Sequence, residues 1–111
     1  MSEPIVKKNA VGNKIYYKDA NGYEQFWTYD EKNRLTRWHD SNGLEEIWLF
    51  DEMSRPVYMK ARNGLEIRQT YEEDGSIFTQ YSDGTEKRID NKYRLVYQKN
   101  ANGKIWKRQY E

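Results

Sequence analysis

Apolar and polar residues alternate in short runs along the whole chain, as in Leu35-Thr36-Arg37-Trp38 and Val96-Tyr97-Gln98-Lys99. A two-residue period of this kind is that of a half-buried β-strand. No window carries an apolar stripe at helical spacing, and Gly or Asn interrupts the chain about every ten residues. The pattern therefore predicts an all-β protein without substantial helix. Its strands, about ten of them, form an antiparallel up-and-down meander, as a curved open sheet or a flattened barrel.

The interruptions are periodic. Asn21-Gly22, Asn42-Gly43, Asn63-Gly64, Asp83-Gly84 and Asn102-Gly103 recur about every 20 residues, the spacing that marks a repeat. Seven residues after the glycine comes an aromatic followed by an acid, at Tyr29-Asp30, Phe50-Asp51, Tyr71-Glu72 and Tyr110-Glu111. The shortened fourth unit offers Ile89-Asp90 instead. Five residues after the aromatic, or after Ile89, stand Arg34-Leu35, Arg55-Pro56 and Arg94-Leu95. Asn-Gly between alternating apolar residues is the strongest short hairpin signal, and a two-residue type I′ loop needs φ > 0 at both central positions. That loop pairs Ser41 with Leu44, His39 with Glu46, Arg37 with Trp48 and Leu35 with Phe50. The division expected is an N-terminal segment over residues 1–12 and a domain of about five hairpin repeats over 13–111.

Composition sharpens this picture. Hydrophobic residues make up 36% and charged residues 33%, which is polar for a packed globule. Four Trp, ten Tyr and three Phe supply the missing apolar area, and they argue against disorder. The chain has no cysteine, so disulfides, thiolate metal sites and cysteine nucleophiles are excluded. The start of the sequence has no apolar leader and no later stretch reaches membrane-span length, so a cytoplasmic protein without membrane contact is expected. The net charge of +1 does not favour nucleic acid as a partner.

The phased glycine, Tyr-Asp and Arg-Leu positions resemble the Rhs/YD repeat family over about Asn13 to Glu111. Asn33 and Ser54 stand where that family has a glycine. The resemblance implies a continuous β-hairpin spiral. In large members such repeats wall off a toxin and carry a self-cleaving core region. With so few units and no counterpart of that core, shell and self-cleavage do not carry over. What the resemblance implies instead is a toxin–immunity or phage and mobile-element setting.

With that hairpin pairing, Trp27, Tyr29, Tyr58, Tyr71, Leu95, Tyr97 and Tyr110 share one face, which reads as the core. The opposite face carries Tyr17, Phe26, Trp38, Ile47, Leu49 and Met59 in the N-terminal half, whereas Arg68, Arg88 and Lys107 replace the apolar residues later. Such a patch is either covered core, for example by Ile5 and Val6, or a partner-binding surface. Its candidate residues are Tyr17, Phe26, Trp38, Ile47, Leu49, Met59, Arg68 and Arg88, with Trp38 as anchor.

Candidate chemistry adds little. Glu24, Glu45, Glu66 and Glu86 form a column of acids, which reads as solvated ion pairs because catalysis or calcium binding needs convergence in a pocket. His39, the sole histidine, reads as structural. No phosphate loop, nucleophile elbow or zinc motif is present. No catalysis, cofactor or metal is expected. The leading expectation is a small protein-binding module, an inhibitor or immunity-type protein acting on a larger one. Carbohydrate binding through exposed Trp and Tyr rows, and a structural β-repeat that dimerises through its unpaired edges, are the alternatives.

Overall fold

The computed structural model describes residues 3–110. Eleven strands follow one another: β1 (Ile5–Lys8), β2 (Lys14–Lys18), β3 (Glu24–Tyr29), β4 (Leu35–Asp40), β5 (Glu45–Phe50), β6 (Pro56–Lys60), β7 (Glu66–Tyr71), β8 (Ile77–Tyr81), β9 (Glu86–Ile89), β10 (Leu95–Lys99) and β11 (Ile105–Lys107). Their hydrogen-bonded order is the chain order, from β1 to β11, so the sheet is an open meander and not a barrel. The all-β, antiparallel expectation holds, and residues 5–8, ahead of the repeat, also enter the sheet. Contacts divide the chain into two compact units, residues 1–48 with 60–64 and residues 49–59 with 65–111.

One turn design serves throughout. In the β4–β5 turn the Gly43 amide donates to the Asp40 carbonyl at 3.2 Å, and the Asp40 amide donates to the Leu44 carbonyl at 3.1 Å. The Asp40 carboxylate accepts from the amides of Asn42 (3.0 Å) and Leu44 (2.9 Å). The loop thus has three residues, a type I turn closed by a residue in the left-handed region. Asn9, Asp19, Asp30, Asp51 and Asp90 open their turns in the same way. The turns before Arg-Leu follow this plan too, with Asn33 (φ 62°), Ser54 (φ 64°) and Tyr93 (φ 62°) at the left-handed position that Gly43 (φ 87°) fills elsewhere.

This turn corrects the expected register. Asn42 does not have positive φ, the loop is one residue longer, and His39 faces Glu45, Trp38 faces Glu46 and Arg37 faces Ile47. A slip of one residue moves every side chain of the partner strand to the other face. A bulge between Thr28 and Tyr29 opposite β4, and another between Leu95 and Tyr97 opposite β9, shift the alternation again.

The expected core face does not exist as a buried layer. Among the described residues Trp38, at 5% exposure, is the one buried hydrophobic side chain, with Asp40 and Ser76 the buried polar ones. The accessible surface is 7985 Å², against roughly 6,500 Å² for a typical folded monomer of this mass. Cations take the place of a second layer. In the first unit Lys14 Nζ lies 5.1 Å from the Trp27 ring centre, and the Arg62 guanidinium lies 4.2 Å from that of Trp38. In the second unit Arg55 covers Tyr71 (4.2 Å), Arg94 covers Tyr110 (4.3 Å), and Arg68 and Arg88 cover Tyr58 and Phe78 (both 4.9 Å). Such contacts contribute about 0.5–1 kcal/mol each at exposed sites and occur about once per 70–80 residues in ordinary proteins. Their density here identifies them as the main means of covering aromatic surface.

Candidate interaction surface

On one face of the first unit a row crosses five strands. Lys7 faces Tyr16, Tyr16 faces Phe26, Phe26 faces His39, and His39 faces Glu45. Lys7 Nζ lies 5.3 Å from the Tyr16 ring, Tyr16 and Phe26 meet tilted at 5.2 Å, and Phe26 stacks on His39 at 4.6 Å and 8°. The Tyr16 hydroxyl donates to Glu24 at 2.5 Å, and this bond, with burial and the Glu24 charge, raises the phenol above its ordinary value. At the other end Glu45 receives Arg37 Nη2 at 2.6 Å and Lys60 Nζ at 3.3 Å. Those hydrogen bonds, from Arg37 first and then Lys60, hold the Glu45 carboxyl below its ordinary value against partial burial. Ile47, opposite Arg37, belongs to this face. Arg37, His39, Leu44 and Glu45 line a shallow hollow of about 160 Å³ in which Leu44 is 41% exposed.

The other face of the same unit holds Tyr17, opposite Gln25, and Trp38, opposite Trp27. Trp38 Nε1 donates to Gln25 Oε1 at 3.1 Å, and the Arg62 that covers the Trp38 ring is itself held by Glu46 at 2.9 Å. Nearby, the Tyr23 hydroxyl donates to Asp40 at 2.7 Å. Burial pushes the Asp40 carboxyl up, but Tyr23 and the turn amides of Leu44 and Asn42 outweigh it and leave the group below its ordinary value.

The eight candidate residues therefore do not form one patch. In the first unit Phe26 and Ile47 lie on one face and Tyr17 and Trp38 on the other. Trp38 is buried within the chain and is not a presented anchor. In the second unit Leu49 is exposed and Met59 half-buried. Arg68 and Arg88 share a face, but both are engaged on aromatic rings, and Arg88 also pairs with Glu72 at 2.8 Å. The expected aromatic row divides likewise: Tyr71 and Leu95 share the face of Ile77 and Ile89, whereas Tyr97 lies opposite Arg88 on the other. Of the acid column, Glu24, Glu45 and Glu86 bond neighbouring side chains, and the Glu66 amide donates to Ser82 Oγ. Among the described residues no three His, Asp or Glu side chains gather as a metal site would require.

The chain matches no protein-family model and no curated protein.

One feature escapes a reading based on net charge. Residues 87–111 contain eight Lys and Arg and two Asp and Glu, so they carry +6 while residues 1–86 carry −5. Only Arg88 and Arg94 of those eight form ion pairs among the described residues. The exposed large hydrophobics include Tyr93 (79%), Ile105 (53%) and Trp106 (44%), all in this stretch. A charge count taken in windows would have shown it.

Proposed function

We propose that this chain is a small protein-binding module, an inhibitor or immunity-type protein that acts by holding a larger protein. The observation that supports the reading is the Tyr16–Phe26–His39 row with its charged rim of Lys7, Arg37, Glu45 and Lys60. Aromatic side chains and Arg within a polar rim are the composition of binding hot spots. The resemblance of the phased Tyr-Asp units to Rhs/YD repeats supports a toxin–immunity or mobile-element setting. Carbohydrate binding is less well supported, because sugar stacking needs open ring faces, and Phe26, His39, Trp27 and Trp38 have faces taken by other rings or cations.

The test is affinity capture from the producing cell, followed by calorimetric titration of the purified captured protein against the chain and its Leu44→Asp and Ile47→Asp variants. A Kd weakened tenfold or more by both variants, with their far-UV spectra unchanged, supports the module. Equal binding by all three overturns this surface as its seat.

A further inference from the structure

We propose that the β10–β11 face around Trp106 binds single-stranded nucleic acid, independently of the protein-binding surface on the first unit. Trp106 lies opposite Gln98, and the two open onto a hollow of about 340 Å³ lined by Leu95, Gln98, Asn100, Lys104, Ile105 and Trp106. That volume falls in the range of ligand sites, and no acid lines it. The rings of Phe26, Trp27, Trp38, Tyr71, Phe78 and Tyr110 are each capped by a cation or another ring. Among the described residues nothing stacks on the half-exposed Trp106 ring, so its face is available to a base.

The charge around it is predominantly positive. Lys87, Lys92, Lys99, Lys104, Lys107 and Arg108 make no ion pair among the described residues, whereas Arg34, Arg37, Lys60 and Arg62 of the first unit are all paired. Screening over about 8 Å at physiological salt makes the basic side chains near Trp106, not the whole-chain +1, the charge that a bound strand senses. The Gln98 amide donates to Asn100 Oδ1 at 3.3 Å, which leaves both side chains with further donors and acceptors for a base edge. A basic surface that tracks phosphates, an open indole for stacking and amides beside it are what single-strand binders combine. A duplex hides its base faces from Trp106. An acidic peptide would engage the lysines and leave the indole and both amides unused.

The test is fluorescence anisotropy of a labelled fifteen-nucleotide oligothymidylate with the full chain and with Trp106→Ala, Trp106→Phe and Lys87→Glu/Lys104→Glu, each checked for an unchanged far-UV spectrum; Lys87 lies opposite Gln98 on the Trp106 face. The proposal expects saturable binding that weakens with salt at a log–log slope of roughly −0.7 per phosphate neutralised. It expects a loss of about tenfold or more in Trp106→Ala and in the double variant, with Trp106→Phe keeping most of the affinity. No binding at low salt, or binding indifferent to Trp106→Ala, overturns it. Equal displacement by poly-glutamate also overturns it, in favour of an acidic protein segment as the ligand.

Discussion

The hydroxyl of Tyr71 donates to the carbonyl of Pro56 at 2.8 Å, fifteen residues back along the chain. Tyr29 reaches Lys14 and Tyr110 reaches Leu95 over the same interval, at 2.8 and 3.0 Å. In the same place Arg55, bonded to Asp51 at 2.8 Å, lies over the Tyr71 ring, and Arg94, bonded to Asp90, lies over Tyr110. The recurring Tyr, Asp and Arg are thus one device: the acid of a turn orients an arginine, which caps the tyrosine of a later hairpin.

Tyr71→Phe removes only the hydroxyl and keeps the ring under Arg55. It should lower stability by about 0.5–1.5 kcal/mol, the net value of one hydrogen bond. Tyr71→Ala should cost clearly more, because the stacked ring is lost as well. Urea denaturation of both variants checks the order, and equal losses would place the whole effect in the hydroxyl.

Trp38→Ala should cost on the order of 3–5 kcal/mol, the usual cost of truncating a buried aromatic. The side chain is enclosed by Trp27, Gln25 and Arg62 and takes no part in a presented surface. A variant that keeps wild-type stability while losing partner binding would return Trp38 to the role of anchor.

The strands and their order were legible in the sequence, because alternation and turn residues are local signals. The register was not. Asn42-Gly43 reads equally as the centre of a two-residue loop or as the last two residues of a three-residue one. The deciding signal is Asp40, three residues before the glycine, whose carboxylate can reach two amides only in the longer loop. The same signal recurs at Asp19 and Asp30 and unites the two turn classes. With the register missed, the faces were mixed, and so were the candidate residues. The cation caps were not legible at all, since Arg62, in the turn between β6 and β7, meets Trp38 of β4, far from it in the chain.

Two glycines of the same turn class should differ in cost. A Cβ on Gly43 meets open space, whereas one on Gly75 comes within 2.9 Å of Asn91 Cβ. Both sit in the left-handed region, where a side chain costs roughly 1–2 kcal/mol. Gly75→Ala should therefore destabilise more than Gly43→Ala in parallel thermal melts, and the reverse order would mean the Gly75 turn is not packed as described.

The turn carboxylates predict an acid limit to stability. The amides of Arg34, Arg55 and Arg94 hold Asp30, Asp51 and Asp90 below their ordinary value, against partial burial and with help from the guanidinium groups. A carboxyl lowered in the folded state contributes stability above its unfolded value, about 3.9, and that contribution is lost as pH falls through the folded value. Stability should accordingly hold from neutrality to about pH 4 and then fall. Asp51→Asn should flatten that fall. A denaturation midpoint unchanged between pH 5 and pH 2.5 would contradict it.

The assignment of Glu45 and Ile47 to the face of Tyr16, Phe26 and His39 rests on the three-residue loop between Asp40 and Leu44, and proton NMR reads that loop directly. In this register His39 and Glu45 form a narrow, non-hydrogen-bonded antiparallel pair, so their Hα protons should give a strong cross-strand Overhauser peak. A two-residue Asn42-Gly43 loop would instead bring Asp40 Hα against Glu45 Hα. The His39–Glu45 peak is the predicted result, and an Asp40–Glu45 peak in its place would contradict the placement of Glu45 and Ile47 on the proposed binding face.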